Sequence, residues 1–448
     1  GPMLSVRPNP EAPAMGAVGV FLTRRYFVGA EGSGIPQVIA ELEHGGKPGW
    51  RPLVSLRIVV GKIGLGVAAV GCGFSMGREG PTVQIGSSLM AMIAPLLRSS
   101  QIQRRHVLVA GAAAGIAAAF NAPLAGIVFA IEEMNRGVES RMSGVVITAI
   151  ILAGVVAQTF MGTGSYFGHA PTVVAGMSEL FEAVLASALV CGLAGGLFAR
   201  IITTAAGNWL GPVARLRSRR PYVFAALCGL LIAGIGWATD GASYCSGYDQ
   251  TRHLLDSQGD LPWHFGPAKF IATAVSYLSG LPGGLFAPSL AIGAGIGNDL
   301  APFMGFDGRP AAILVLCMAG FLAAVTQAPI TSFVIVMEMV DGYGLVTGLM
   351  AVTLLSTGIS RLLCRPLYHT LAQRIAARQL PADEPETAGQ EHPAAEAVAD
   401  PGKGETAEQV QETEGAATGP ADEAEKVDSA ERVDRTDPAA PAGSTGKA

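Results

Sequence analysis

Long stretches without a charged residue recur along the first 380 residues of the chain. Each approaches or exceeds the roughly 20 apolar residues that a helix needs to cross a bilayer. The stretches run from Val107 to Ile131, Ser143 to Gly168, Ala183 to Ala199, Tyr222 to Thr239, Phe270 to Asn298, Ala311 to Met337 and Tyr343 to Ser360. The pattern therefore predicts an all-α, polytopic membrane protein.

Glycine and proline interrupt several of these stretches. Two examples are Ser279-Gly280-Leu281-Pro282-Gly283-Gly284 and Asn121-Ala122-Pro123. They predict helices that break inside the membrane, where broken ends must be buried in protein or line a polar cavity. Broken helices near the midplane favour a transport pathway over a structural anchor.

The first half of this apolar body recurs in the second half. Asn121-Ala122-Pro123-Leu124 recurs as Gln327-Ala328-Pro329-Ile330, an offset of 206, and each is followed by an apolar run that ends at a glutamate. Gly77-Arg78-Glu79-Gly80-Pro81-Thr82 matches Gly284-Leu285-Phe286-Ala287-Pro288-Ser289, an offset of 207. Transporters built from structural repeats show such self-similarity, with the substrate site near the repeat interface.

Two carboxylates stand outside the repeat. Glu79 aligns with Phe286, and Glu133 aligns with Met339. Ionisable groups within membrane segments are costly and mark ion or proton pathways. Both glutamates are therefore candidate functional residues.

Charge divides the chain into two parts, although the net charge of all 448 residues is only −5. Residues 381–448 hold 17 acidic and 5 basic residues, a charge of −12, whereas residues 1–380 hold 18 acidic and 25 basic residues, a charge of +7. The acidic tail has no aromatic residue, so we predict that it is disordered and forms no pair of regulatory nucleotide-binding domains. Neither part indicates nucleic-acid binding.

The boundaries and the orientation follow from the flanking residues. Gly1-Pro2-Met3 looks like a cleavage scar, so residues 1–13 are set apart from a transport body of residues 14–380, with halves 14–205 and 206–380. The run from Ala14 to Leu22 is too short to span, so either the chain begins part-way through a longer protein or this run is a half-helix. Arginine clusters at 215–220 and 361–378 predict cytoplasmic loops and a cytoplasmic tail.

Three segments share the construction of a helix start inside the membrane. Gly32-Ser33-Gly34-Ile35-Pro36, Gly77-Arg78-Glu79-Gly80-Pro81 and Gly284-Leu285-Phe286-Ala287-Pro288 each place glycine before a first-turn proline. If these helix starts converge, their free N–H groups and dipoles form an anion site. Partial charges permit both binding and release, and Ser33 adds a hydroxyl donor.

The same segments suggest how protons could couple to an anion. An ionised Glu79 at such a helix start would occupy the place of an anion, and a protonated Glu79 would leave it. The alternative is a glutamate that stabilises a helix dipole at the membrane surface.

Two further candidates each have an ordinary structural alternative. Glu133 lies at the unfavourable negative end of its own helix, unless that helix emerges into water and both Glu132 and Glu133 are solvated. Tyr368 follows the last apolar segment, where a tyrosine usually belongs to the interfacial belt.

No motif supports an enzyme. The chain contains no G-x-x-x-x-G-K-[ST], G-x-G-x-x-G or H-E-x-x-H motif, and its seven histidines are dispersed. The six cysteines are scattered in apolar sequence without metal-type spacing, as expected of small buried hydrophobes. We therefore expect neither an enzyme activity nor a metal or other cofactor.

Five ordered segments resemble the signature segments of the CLC chloride channel and transporter family. They are the three helix starts together with Ala112–Gly126 and Pro366-Leu367-Tyr368. The resemblance covers about Gly32 to Leu371. It implies a CLC fold of two inverted halves of tilted, broken helices. It also implies a homodimer with one pore per subunit in the bacterial inner membrane.

The resemblance also implies residue roles. Chloride would be bound by the hydroxyls of Ser33 and Tyr368 and by the helix starts at Gly34, Ile35, Leu285 and Phe286. Glu79 would be the external gating glutamate, with Arg78 and Gly80 supporting the pore entrance. Glu133 would be the internal proton-transfer glutamate that separates many exchangers from channels. Chloride and protons would be the substrates.

One departure from the family keeps a second function open. Bacterial exchangers typically carry glutamates where this chain has Gln37 and Ile39, although Glu43 remains nearby. Chloride/proton exchange is the leading prediction, and a passive, voltage- or pH-gated chloride channel of the same fold is the alternative. Fluoride or nitrate transport is less expected, because members with those preferences replace the central serine and this chain keeps Ser33. A structural scaffold would not need Glu79.

Overall fold

The chain folds as a succession of helices of very unequal length. The structure, a computed structural model, describes residues 9–96, 104–134, 144–162, 164–168, 176–205, 211–256, 259, 261–305 and 311–380. The first half contains α1 Ala12–Arg25, α2 Ile35–His44, α3 Leu56–Gly71, α4 Glu79–Ile93, α5 Arg104–Phe120, α6 Pro123–Phe129, α7 Gly144–Met161 and α8 Met177–Ala205. The second contains α9 Gly211–Arg219, α10 Pro221–Ala238, α11 Tyr248–Leu255, α12 Phe265–Ser279, α13 Phe286–Leu300, α14 Ala311–Thr326, α15 Pro329–Val340, α16 Val346–Leu363 and α17 Leu367–Gln379.

The helices break where glycine and proline predicted breaks. Asn121 has a φ of 54° and its repeat equivalent Gln327 a φ of 58°, so the chain leaves the helical path at both positions. Proline then opens α6 and α15, where its missing N–H costs nothing. Gly280, with a φ of 89°, ends α12 before the chain restarts as α13. The predicted interruptions are confirmed.

The breaks leave few helices that could cross a bilayer alone. Within the described residues, three helical segments are long and apolar enough to do so: Met177–Ala205, Pro221–Ala238 and Tyr343–Leu363. Helix α1, which contains the short run predicted near the N-terminus, has 14 residues. Shorter apolar helices fill the interior, and every residue of α14 is buried.

The two halves repeat the same close helix packing. A Cβ atom at Gly86 would overlap the backbone of Gly111, so α4 and α5 touch along their backbones. Gly293, which is equivalent to Gly86, packs on Cys317 and Met318 in the same way and joins α13 to α14. Glycine at both positions lets broken helices approach closely enough to bury their ends.

Glutamate carboxylates link α6 to α15 in a reciprocal way. Glu132, just beyond α6, accepts hydrogen bonds from the N–H groups of Ile330 (3.1 Å) and Thr331 (2.6 Å) at the start of α15. Glu338, near the end of α15, accepts them from Leu124 (3.1 Å) and Ala125 (2.7 Å) at the start of α6. Each carboxylate therefore satisfies orphan donors of the equivalent helix in the other half.

Two predicted segments lie outside the described residues. The cleavage scar at residues 1–3 is one, and the acidic tail at residues 381–448 is the other.

Candidate functional site

The starts of α2, α4 and α13 are joined by backbone hydrogen bonds. Gly32 N–H donates to the Leu281 carbonyl (3.1 Å), and Gly283 N–H donates to the Gly32 carbonyl (3.0 Å). Gly77 and Gly284, which are equivalent in the repeat, donate to each other's carbonyls at 2.9 and 2.7 Å. The predicted convergence of the three helix starts is confirmed, and it lies where the two halves meet.

Glycine is required where these helix starts touch. Gly34 has a φ of 106°, and a Cβ atom there would lie 2.8 Å from the Gly80 carbonyl oxygen. A Cβ atom at Gly80 would in turn overlap Ser33. The two glycines therefore bring the Ser33 hydroxyl to the start of α4, and Ile35 begins α2 in a buried position.

Two buried hydroxyls meet at this junction. Ser33 and Tyr368 are both 0% exposed, and their side chains face one another. Among the described residues, neither oxygen makes a hydrogen bond of ordinary geometry. The Phe286 ring stacks on the Tyr368 ring at 6.1 Å and 8°, which holds the tyrosine in place. Buried hydroxyl donors without a protein acceptor are suited to an anion.

The Glu79 side chain lies inside the junction. Glu79 is 0% exposed, and its Oε2 accepts a hydrogen bond from the Ala287 N–H (3.4 Å) in the first turn of α13. This carboxylate therefore occupies a helix N-terminus, where a negative charge is stabilised. Its complete burial does not fit the alternative of a glutamate at the membrane surface.

A cavity of about 560 Å³ adjoins Glu79. Arg78 lines it, donates to the Ala119 carbonyl (3.3 Å) and lies 5.7 Å from the centre of the Tyr166 ring. Arg252 also lines it and donates to the Tyr248 hydroxyl (3.2 Å). The cavity thus brings two guanidinium groups to the approach to Glu79, which favours anions.

Glu133 lies in a different environment from its neighbour Glu132. It belongs to the π-helical segment Ala130–Met134 that continues α6, and it is 1% exposed. Its Oε1 is 4.0 Å from His369 Nε2. Because Glu133 is buried and Glu132 binds α15, the alternative of two solvated glutamates at a helix end does not fit.

Comparison with known proteins identifies the family. The family model described as voltage-gated chloride channel matches residues 15–361. The chain belongs to the voltage-gated chloride channel, or CLC, family. It is 32% identical over 380 residues to the H(+)/Cl(−) exchange transporter ClcA of Citrobacter koseri, covering 81% of this chain and 77% of the relative. It is also 32% identical over 375 residues to ClcA of Cronobacter sakazakii, covering 81% and 78%.

Solved structures agree on the fold. The crystal structure of a slow cyanobacterial Cl⁻/H⁺ antiporter superposes with a TM-score of 0.73 at 26% identity, covering 83% of this chain and 87% of the other. The prediction of an all-α CLC fold is therefore confirmed, and this CLC protein is a membrane-embedded member of a transporter family.

Gln37 and Ile39 of this CLC protein stand where the resemblance to bacterial exchangers would place glutamates, and Glu43 remains nearby. Gln37 Oε1 accepts a hydrogen bond from the Gly34 N–H (3.0 Å) and so stabilises the start of α2. Ile39 packs in the apolar core. Glu43 is partly exposed and lies 4.0 Å from His369.

Sequence reasoning missed His369 and the reciprocal bonds of Glu132 and Glu338. The equal spacing of the two glutamates after their prolines was a usable signal, because repeat-related residues occupy equivalent places. His369 gave no comparable signal beyond its position next to Tyr368.

Proposed function

We propose that this CLC protein exchanges chloride for protons across a membrane. The observation that carries the proposal is the Glu79 carboxylate, buried against the Ala287 N–H at the start of α13. This place suits an anion, and a carboxylate there can be exchanged for chloride. The ClcA relatives named as H(+)/Cl(−) exchange transporters support the same function.

The chloride ion is bound without a full positive charge at the central position. The Ser33 and Tyr368 hydroxyls donate hydrogen bonds to it, and the converging helix dipoles add partial positive charge. The N–H groups of the helix starts complete the site, at Gly34, Ile35, Leu285 and Phe286. Arg78 and Gly80 support the pore entrance: Arg78 lines the cavity beside Glu79, and Gly80 lets Ser33 lie against the start of α4.

Alternating occupancy couples the two ions. The deprotonated Glu79 carboxylate occupies the anion position and blocks chloride. Protonation removes its charge, so the side chain leaves the helix start and chloride takes its place. Chloride and the Glu79 carboxylate therefore compete for one site, and each cycle moves a proton in the opposite direction to chloride.

Glu133 exchanges protons with Glu79 from the other side of the membrane. It is buried near Tyr368, which keeps it close to the proposed chloride site. A passive channel of the same fold would not need a second buried carboxylate, and the replacements at Gln37 and Ile39 are the one feature in its favour.

The assembly and the location are part of the proposal. Two copies of the chain pair as a homodimer, as the resemblance to the CLC family implies. Each subunit has its own pore, formed between halves 14–205 and 206–380. The protein lies in the bacterial inner membrane with its acidic tail in the cytoplasm, and it uses no cofactor.

The test is coupled flux in lipid vesicles that contain the purified full chain. An outward chloride gradient at equal pH is expected to drive protons inward against the gradient that they build up. Chloride efflux without uphill proton movement would support the passive channel instead.

A further inference from the structure

A row of ionisable side chains leads from Glu133 to the surface of the protein. Glu133 Oε1 is 4.0 Å from His369 Nε2, and His369 Nδ1 is 4.0 Å from Glu43 Oε1. Glu43 Oε2 is 3.9 Å from His44 Nδ1. The exposed fraction of the side chain rises from 2% at Glu133 to 21% at His369 and 41% at Glu43, and it is 20% at His44.

The imidazole of His369 is placed between the two carboxylates. One ring nitrogen faces Glu133 and the other faces Glu43. A histidine can accept a proton on one nitrogen and release the proton on the other, at a pH near neutrality. Because 4.0 Å is longer than a direct hydrogen bond, proton transfer across each contact requires a bridging water molecule or a small side-chain movement.

Glu43 differs from the other glutamate on the last turns of α2. Glu41 accepts hydrogen bonds from Trp50 Nε1 (2.8 Å) and the Leu53 N–H (2.9 Å), and it pairs with Arg104. Its side chain is 0% exposed, so its role is to hold this part of the fold together. Glu43 instead faces two imidazoles and water.

Two consecutive side chains at the start of α17, those of Tyr368 and His369, point in different directions. Consecutive residues on a helix point about 100° apart, so Tyr368 and His369 face different surroundings. Tyr368 faces Ser33 and stacks on Phe286, whereas His369 faces Glu133. The proposed chloride site and the row of ionisable groups therefore diverge at this turn.

We propose that His369 and Glu43 carry protons between the aqueous phase and Glu133. This inference rests on the proposed exchange of chloride for protons. Glu43 takes a proton from water and passes it to His369 Nδ1, which forms an imidazolium. The Nε2 proton then moves to the Glu133 carboxylate, and the ring is left neutral as the other tautomer. One proton has moved, and no bond other than N–H or O–H has changed.

The charges around His369 suit this role. Of the helices packed against α17, α2 brings Glu43 and His44, α8 brings Arg200 near Cys364, and α14 has no charged residue. The segment after α6 brings Glu133. Two carboxylates, those of Glu43 and Glu133, thus lie 4.0 Å from the two ring nitrogens of His369.

The test uses the full chain in vesicles with chloride and proton flux recorded together. In His369→Gln and Glu43→Gln, we expect proton flux to fall about tenfold, while chloride flux stays within about twofold of the original protein. The pH profile of the proton flux remaining in His369→Gln should differ from that of the original protein, because the imidazole no longer takes part in the transfer. The matched control is His106→Gln on α5, outside the row, which should keep the original ratio of chloride to protons.

The outcomes separate this inference from the proposed function. If the original protein exchanges and Glu133→Gln stops protons, but His369→Gln and Glu43→Gln keep the original ratio, the relay is overturned and exchange stands. If the original protein moves no protons uphill, both are overturned. If His369→Gln loses chloride flux because it misfolds, Glu43→Gln decides, since Glu43 is partly exposed. An unchanged ratio of chloride to protons in Glu43→Gln overturns the proposed proton transfer through His369 and Glu43, and a raised ratio supports it.

Discussion

The two halves of the molecule have the same framework and different chemistry. Gly77 pairs with its equivalent Gly284, and each half breaks a helix at equivalent residues with positive φ. Where the first half has Glu79 and Glu133, the second has Phe286 and Met339. The repeated residues satisfy and position backbone groups, whereas the non-repeated carboxylates supply titratable groups.

Two buried lysines are equivalent in the repeat, and both bind backbone groups like the other repeated residues. Lys62 Nζ donates to the Gly32 carbonyl at 2.6 Å. Its equivalent Lys269 donates to three carbonyls, at 2.7 to 3.0 Å, in the turn Ser243-Tyr244-Cys245. Both bind backbone oxygens near a helix break, so the repeated lysines stabilise loops.

Removal of the carboxylate at position 79 should have the largest effect. Glu79→Gln keeps the size of the side chain, but the amide cannot be protonated and deprotonated as a carboxylate can. We expect proton flux to fall by about 100-fold or more, while chloride still passes. Paired flux in vesicles measures both, and proton coupling that survives in Glu79→Gln would show that the non-repeated carboxylate is not the coupling group.

The adjacent Glu132 and Glu133 offer the next test of the contrast between repeated and non-repeated carboxylates. Glu133→Gln is expected to reduce proton flux by about tenfold or more and to leave chloride flux largely intact. Glu132→Gln, one residue away, should leave the chloride-to-proton ratio unchanged, because that side chain binds the start of α15. The two variants are compared by the same flux assay, and equal ratios would contradict the assignment.

The hydroxyls at the helix junction should control chloride affinity. Ser33→Ala and Tyr368→Phe each remove one donor, and we expect chloride to bind about tenfold more weakly in each. Titration calorimetry of the purified protein measures this. The control is Ser279→Ala, whose hydroxyl already donates to the Ser276 carbonyl at 2.6 Å. Unchanged affinity in Ser33→Ala and Tyr368→Phe would place chloride elsewhere.

The reciprocal glutamates should give the smallest effect, and an equal one in both halves. Glu132→Gln and Glu338→Gln each weaken charge-assisted bonds to two N–H groups, at a cost of about 1–2 kcal/mol. We expect both to lower the melting temperature by about 2–4 °C. A thermal scan in detergent measures this, and a large loss in only one of them would break the equivalence of the halves.

Much of this framework could be predicted from the sequence, because glycine and proline act locally. The breaks at Asn121 and Gln327 and the convergence of the three helix starts follow from short motifs and their spacing. The place of His369 could not be predicted, since it depends on how α2 and α17, from opposite ends of the transport body, pack together. Charge alone did not separate Glu132 from Glu133, whose side chains leave the helix in different directions.

Running the exchange in reverse tests directly whether the non-repeated carboxylates couple chloride to protons. Vesicles with equal chloride on both sides, a pH gradient and the membrane potential held at zero isolate the effect of protons on chloride. We expect net chloride movement in the direction opposite to proton flow for the intact chain, and none for Glu79→Gln. If the pH gradient moves no chloride in the intact chain, the claim that the non-repeated carboxylates couple the two ions is contradicted.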